Sequence, residues 1–253
     1  MIDMAGINIV WNPVNLTPPE VVAENVRIAK SRSAKYGYPK KATQPRLAIV
    51  AGGPSIKNRL KDIRKYPDRW ICASTMPWAV MMGLKGTYFN IDPSPDCVVE
   101  TRGVEKAILA TTVHPKVFDA LEGKDIGVFD LRASDKDQNH GVTTATAVPE
   151  LAILLGYKEV CFFGCESSFK ESTHAYRNDL ETNKNQIWVE CGERTYQTRP
   201  DYFLQALYIA EHIRVFPWMF KEKSGGLLWA LVKFGTYKIV ALADILNPVL
   251  KAA

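Results

Sequence analysis

The feature that most constrains this chain is a strand, a glycine turn and a helix in immediate succession near residue 50. Leu47–Ala51 is a short β-branched apolar run of the kind found in buried strands. Gly52 and Gly53 end that run, and Pro54 suits the first turn of a helix, where a missing N–H costs nothing. Apolar residues then recur at helical spacing, so the stretch predicts a βα unit.

The turn of this unit is a candidate anion site. The free N–H groups and the positive dipole end of a helix start attract phosphate or carboxylate. Gly52 and Gly53 allow a ligand to approach the backbone closely, and Ser55 adds a hydroxyl donor. A tight βα turn without a ligand is the alternative interpretation.

Short apolar runs alternate with helical patterns over most of the chain. This alternation predicts an α/β fold, a Rossmann-like doubly wound and mainly parallel sheet with helices on both faces. Such sheets bind ligands beyond the carboxyl ends of their strands, at the point where strand order reverses. The six expected strands cover residues 47–51, 70–74, 88–91, 107–110, 126–129 and 159–163.

Polar residues follow several of these strands. Ser74 ends the second strand, Asn90 and Asp92 follow the third, and Glu166 lies just after the sixth. Because the carboxyl ends of parallel strands meet at one edge of a sheet, these residues are candidates for ligand contacts.

A second candidate anion site opens the helix expected over 144–155. Gly141 frees the backbone there, while Thr143 or Thr144 can cap the helix and donate to a ligand. His140 directly precedes the turn. A well-capped helix without a ligand is again the alternative.

Composition limits the class of partner. The 253 residues are 47% hydrophobic and 23% charged, as in ordinary globular proteins. The net charge of +5 comes from scattered Lys and Arg, which argues against nucleic acid as a partner and fits an anionic small ligand.

Five cysteines without a Cys-x-x-Cys pair indicate a reducing compartment without structural zinc. With neither a signal-peptide pattern nor an apolar run of membrane length, we expect a cytoplasmic location and no transmembrane segment.

Three segments are predicted. Residues 1–45 are proline-rich with a basic helix over 20–33 and form an arm or cap; residues 46–215 form the ligand-binding domain. Residues 216–253 form a helical extension, with helices expected over 225–232 and 237–250. We expect these helices to pack on the domain or on a second copy in a homo-oligomer, the rival being a helix lying on a membrane surface.

Two blocks resemble a known family. Ala48–Ile56 resembles the Gly-x-Gly-Pro-Ser-Leu signature of the 6-hydroxymethylpterin diphosphokinase MptE-like family, which includes motility-accessory-factor glycosyltransferase-like proteins. The same signature occurs in bacterial sialyltransferases. His140–Glu166 resembles a second shared block, and residues 167–176 resemble phage and bacterial members. The chain departs from the pattern at Ala51, where the first glycine is usual, and at Glu166, where aspartate is common.

The resemblance implies a transferase that moves a pyrophosphoryl or glycosyl group from a nucleotide-linked donor to an acceptor hydroxyl. The donor is ATP with a divalent metal in one branch and a cytidine-monophosphate sugar in the other. Both need helix starts and hydroxyls that hold phosphate. Carried over by position, the first phosphate loop is Gly52, Gly53, Pro54 and Ser55, the second contains Gly141 and Thr143, and the nucleotide or metal contacts are Asn90, Asp92 and Glu166.

His174 is the expected general base, with Glu166 as the other catalytic candidate. A histidine pKa near neutrality suits removal of a proton from an acceptor hydroxyl, while the alternative is a loop histidine with a structural hydrogen bond. His140 is the second choice for the base. Mg²⁺ is expected only with the pyrophosphokinase reaction, on oxygens of Asp92 and Glu166.

Three classes of function stay open on this basis. The first is an active transferase, in a bacterial host if the chain is phage-encoded. The second is a nucleotide-binding module that has lost catalysis. The third is a structural or assembly protein that kept the fold, for instance in a phage particle, because fold alone does not fix function.

Overall fold

The computed structural model describes residues 17–131, 143–169 and 186–240. Within these ranges there are ten strands: β1 (Arg46–Val50), β2 (Asp68–Cys72), β3 (Thr87–Asn90), β4 (Lys106–Ala110), β5 (Asp125–Phe129), β6 (Glu159–Phe163), β7 (Ile187–Cys191), β8 (Arg194–Thr198), β9 (Phe220–Glu222) and β10 (Lys238–Val240). The α-helices are α1 (Pro19–Tyr36), α2 (Ile56–Ile63), α3 (Met76–Met81), α4 (Pro115–Ala120), α5 (Val148–Leu155), α6 (Pro200–Val215) and α7 (Gly226–Phe234).

The main sheet is parallel throughout and has the order β5-β4-β3-β2-β1-β6-β9. From β1 the chain first adds strands on one side as far as β5, and then returns to place β6 on the other side of β1. The doubly wound α/β fold expected from the sequence is therefore confirmed. The strand order reverses between β1 and β6.

All six strands predicted from apolar runs are present, with ends shifted by at most two residues. They form where the sequence concentrates β-branched and aromatic side chains, and the centre of the sheet is fully buried. Trp70, Phe89 and Phe129 stack across one face, with ring centroids 5.0 and 5.7 Å apart. These stacked rings pack together β2, β3 and β5.

The N-terminal helix α1 packs over the ends of the outer strands. The buried Asn25 side chain donates to the backbone oxygens of Pro93 and Thr112, which follow β3 and β4. Lys30 pairs with Asp130 at 3.2 Å just after β5. This helix therefore contacts the same rim of the sheet that holds the candidate site, at its far end.

The C-terminal part departs from the helical extension that we expected over 216–253. Phe220–Glu222 forms β9 and completes the main sheet beside β6, so the expected boundary at residue 216 separates a strand from its own sheet. Lys238–Val240 is strand β10, so the helix expected over 237–250 is wrong at its start. Residues 241–250 lie outside the described residues. Backbone pairing with a neighbouring strand overrides the helical spacing that the apolar residues suggest here.

A second, antiparallel sheet was not predicted. It has the order β10-β7-β8, and Gly192 takes a φ of +63° in the tight turn between β7 and β8. The expected helix near 225–232 is present as α7, whose apolar residues Leu227, Leu228, Ala230 and Leu231 are buried. None of the helices in the described ranges is long and apolar enough to cross a membrane.

We predict that β9 is an integral part of the main fold. Phe220→Ala removes a ring that is 1% exposed and packs 6.3 Å from the Phe162 ring, so it should lower the free energy of unfolding by about 3–5 kcal/mol. The matched control Trp218→Ala, at a side chain that is 71% exposed, should lower it by about 1 kcal/mol or less. Urea denaturation followed by circular dichroism measures both. A Phe220→Ala protein with an unchanged main transition would contradict this assignment.

Candidate functional site

The loops that follow β1 and β6 are joined by backbone hydrogen bonds. Ala51 N–H donates to the Phe163 oxygen and Gly53 N–H donates to the Gly164 oxygen, both at 2.9 Å. The pairing of the two strands thus continues past their carboxyl ends. This is the topological switch point of the sheet, the position at which doubly wound folds bind ligands.

Two glycines make this close approach possible. Gly164 has a φ of +72°, and a Cβ there would lie 2.3 Å from the Ala51 oxygen. A Cβ on Gly53 would lie 2.6 Å from the Gly164 oxygen and 1.8 Å from Glu166 Oε2. Gly53 itself lacks a left-handed φ, so space rather than conformation requires glycine at this position.

Glu166 fills the space that Gly53 leaves. Its side chain is 8% exposed, and Oε1 accepts the Ser55 N–H at 2.5 Å, just before α2 begins. The sequence predicted that a ligand would approach these glycines, whereas the structure places a carboxylate of the chain itself there. The helix begins at Ile56, two residues after the expected Pro54, so Pro54 and Ser55 belong to the turn.

The Glu166 carboxylate is incompletely paired. Among the described residues, Glu166 Oε2 and Ser55 Oγ are buried oxygens without a hydrogen-bond partner. Burial raises the pKa of Glu166, the neighbouring Ser55 hydroxyl and then the backbone N–H groups of Glu166 and Ser55 oppose the rise, and the negative charge of Glu222 adds to it. A buried acceptor in this state gains free energy from a proton donor or a cation.

The backbone of Glu166 is held by the start of α7. Leu228 N–H donates to the Glu166 oxygen at 3.2 Å, and a Cβ on Gly226 would lie 2.8 Å from that oxygen. Just upstream, Cys165 N–H donates to Ser224 Oγ at 2.9 Å. Glu166 is therefore fixed from the side of β9 and α7 as well as from the side of β1.

A buried polar network links Ser167, the residue after Glu166, to Thr143 of the second candidate anion site. Gln205 on α6 donates from Nε2 to Ser167 Oγ at 2.9 Å and accepts from Thr143 Oγ1 at 2.6 Å. Thr198 Oγ1 donates to the Ser167 oxygen at 2.6 Å. Ser167 has a φ of +53°, a strained conformation for a residue with a side chain.

Sequence reasoning missed Gln205 and Thr198. The available signal for Gln205 was a polar residue on the otherwise apolar face of a helix, next to Phe203, Ala206 and Leu207. Thr143 was predicted, and it caps a short 3₁₀ turn over Thr144–Ala147 through a reciprocal bond with Thr146. Thr144 is half-buried in that turn. His140, Gly141 and His174 lie outside the described residues.

The candidates after β2 and β3 have different surroundings. Asn90 is fully buried, with Nδ2 donating to Tyr88 Oη at 3.0 Å and Oδ1 accepting the Asp92 N–H at 2.8 Å, so its amide holds the loop together. Asp92 is exposed and accepts the Ser94 N–H. Ser74 is half-buried in a 3₁₀ turn after β2, and Gly52 is half-buried in the turn after β1.

The sheet order separates Asp92 from Glu166. Strands β2 and β1 lie between β3 and β6, which puts the two loops three strand spacings apart, about 14 Å. The structure therefore does not bring together the two carboxylates expected to share Mg²⁺. Within the described residues there is also no group of three or more His, Cys, Asp or Glu side chains able to hold a metal ion.

Glu166 alone still fits one mode of Mg²⁺ binding. This ion is commonly held by one or two carboxylates together with the phosphates of a substrate, and it keeps several waters. The unpartnered Oε2 is an oxygen ligand of the right class. Any such ion would depend on the ligand for most of its coordination.

Comparison with known proteins does not identify this chain. No protein-family model matches it, and neither the curated proteins nor the solved structures give a match. The function proposed below therefore rests on the fold, on the switch point and on the residues around Glu166.

We predict that Gly53 is required to accommodate Glu166. Gly53→Ala forces a methyl group against Glu166 Oε2 and the Gly164 oxygen, and should lower the free energy of unfolding by about 1–3 kcal/mol. In a Glu166→Ala background the same substitution should destabilise the protein less, because the contact with Glu166 Oε2 is then absent. Urea denaturation of the four proteins in this double-mutant cycle measures the coupling. Strictly additive effects would show that the two residues do not interact.

Proposed function

We propose that this chain is a nucleotide-binding transferase of the MptE-like type, which moves a pyrophosphoryl or glycosyl group from a nucleotide-linked donor to an acceptor hydroxyl. The observation that carries this proposal is the buried and incompletely paired Glu166 carboxylate at the β1–β6 switch point. A buried polar oxygen without a hydrogen-bond partner lowers the stability of the fold, and natural proteins tolerate such groups mainly at functional sites.

Phosphate recognition is assigned to the turn before α2. Ser55 offers a backbone N–H at the helix start and a hydroxyl, and both are suited to phosphate oxygens. Thr143 is joined to the neighbouring loop through Gln205. Ser167 directly follows Glu166, whose carboxylate accepts the Ser55 N–H, so Thr143 and Ser55 are linked through this one loop. This link supports a ligand with more than one phosphate or with a phosphate and a sugar.

The chemistry needs charge stabilisation at the leaving phosphate. A helix start supplies fixed N–H dipoles for this purpose without rearrangement during the reaction. Mg²⁺, where the donor brings it, would neutralise phosphate charge, and Glu166 would supply its protein oxygen. From the sequence, His174 is the proposed base that takes the proton from the acceptor hydroxyl. We propose the cytoplasm as the compartment, since a nucleotide-linked donor is available there.

Two donor classes remain candidates, ATP and a cytidine-monophosphate sugar, because the described contacts involve phosphate-binding groups that both would use. A second kind of function, a nucleotide-binding or phage assembly protein without catalysis, is favoured by one specific observation. Glu166 already accepts the Ser55 N–H that a phosphate would use. A chain that had lost its ligand could keep this arrangement as an internal helix cap.

A thermal-shift experiment tests the proposed function. ATP, GTP, CTP, CMP and CDP, each with and without Mg²⁺, should include at least one ligand that raises the melting temperature, because binding to the folded state stabilises it. Ser55→Ala should reduce that shift, whereas Ser31→Ala, on the exposed surface of α1, should not. Cytidine selectivity favours glycosyl transfer, and ATP with Mg²⁺ favours pyrophosphoryl transfer. A flat response to all five nucleotides would leave the assembly function as the better proposal.

The role of His174 is tested by kinetics on the donor identified in that screen. His174→Ala should lower turnover by about 10²–10⁴-fold while donor affinity stays nearly unchanged, because a general base acts mainly in the transition state. The matched control is His114→Ala, since His114 Nδ1 accepts the Lys116 N–H at the start of α4, far from the switch point along the sheet. Lost donor affinity at full turnover would reassign His174 to phosphate binding.

A further inference from the structure

We propose that Glu166 is an internal occupant of the anion site at the start of α2, and that a phosphate group of the ligand binds there by replacing the carboxylate on the Ser55 N–H. This inference deepens the proposed function and rests on it for the ligand being a nucleotide phosphate. The displacement itself is a property of the site that any small phosphate can probe.

The first step is the position of the carboxylate. Glu166 Oε1 lies 2.5 Å from the Ser55 nitrogen, and α2 begins with the next residue. Helix starts bind carboxylate and phosphate by the same N–H groups and the same dipole. Glu166 therefore occupies the place that a ligand anion would take, and it does so from the loop after β6, across the switch point from β1.

The second step is that the occupant fits the site incompletely. Its side chain is 8% exposed, and Oε2 has no partner among the described residues. The Ser55 hydroxyl, a second donor beside the N–H, acts on this carboxylate from close by but forms no hydrogen bond of normal geometry. A phosphate has three terminal oxygens and can accept from both donors, so it satisfies groups that the carboxylate leaves unpaired.

The third step is that the two anions cannot share the site. The charged neighbour that acts on Glu166 is Glu222, which is the last residue of β9 and is also negative; the Cys165 thiol beside Glu166 is buried. Glu222 already accepts hydrogen bonds from the N–H groups of Ser224 and Gly225, and these bonds hold its charge in the loop beside Cys165 and Glu166. A phosphate entering beside an ionised Glu166 would add a third negative charge at a desolvated position.

The test is a calorimetric titration with inorganic pyrophosphate, without divalent cations and at constant pH and ionic strength. Glu166→Gln keeps the shape of the occupant and removes its charge, so it should bind pyrophosphate about tenfold more tightly than the unmodified chain, or better. The matched control Glu222→Gln removes one charge from the same neighbourhood without vacating the Ser55 N–H. Its gain should be under about threefold.

The possible outcomes separate this inference from the proposed function. Weaker or unchanged binding by Glu166→Gln, an equal gain by Glu222→Gln, or no pyrophosphate binding by any of the proteins overturns the displacement. If Glu166→Gln does not fold, Glu166→Ala, which removes both the charge and the group that accepts the Ser55 N–H, should show the gain instead. If nucleotides bind but Glu166→Gln shows no gain for pyrophosphate, the displacement is wrong and the transferase proposal still stands. If the gain is seen but no nucleotide binds, the displacement is supported and the transferase proposal fails.

Discussion

The structure depends on β1 being hydrogen-bonded along both edges, to β2 on one side and to β6 on the other. Those two partners are far apart in the chain, with β3, β4 and β5 between them, and the residues Leu47–Val50 of β1 are fully buried. Because the strands are parallel, the turns after β1 and β6 emerge on the same rim. The chain then joins the turns with two more backbone bonds, which only glycines at 53 and 164 leave room for. The bond between Glu166 and the Ser55 N–H follows from this arrangement, because it crosses from one of these turns to the other.

Much of this fold could be predicted from the sequence, because its signals are local. Six strands of the main sheet are β-branched apolar runs bounded by glycine, proline or polar residues, and each was placed within two residues. The three-residue strands β9 and β10 are too short to show a period of two. Phe220 therefore fell within the expected helical extension, and Ile239 within an expected helix. Their strand character comes from the neighbours with which they pair.

The candidate site was predictable in its location and not in its internal contacts. Topology places Gly53, Ser55 and Glu166 on one rim, but the bond between Glu166 and the Ser55 N–H requires knowing that β6 lies directly beside β1. The same limit explains Asp92, whose loop lies three strands away from that of Glu166 although both follow predicted strands. Strand order is a global property, which the spacing of residues along the chain does not carry. Gln205 shows it again, since its two partners come from segments 62 and 38 residues away.

The unpaired oxygen of Glu166 bears on the choice between a ligand site and a purely structural cap. A carboxylate retained only to cap α2 would gain stability from a second donor for Oε2, because leaving a buried acceptor unsatisfied costs about 1–3 kcal/mol. Ser55 Oγ is buried at the same turn without forming such a bond. The chain also maintains a strained Ser167 next to Glu166 and holds it with Gln205 and Thr198. Strain and unsatisfied groups concentrated around one side chain are typical of a site that is completed by a ligand, and this favours a ligand site over a purely structural cap.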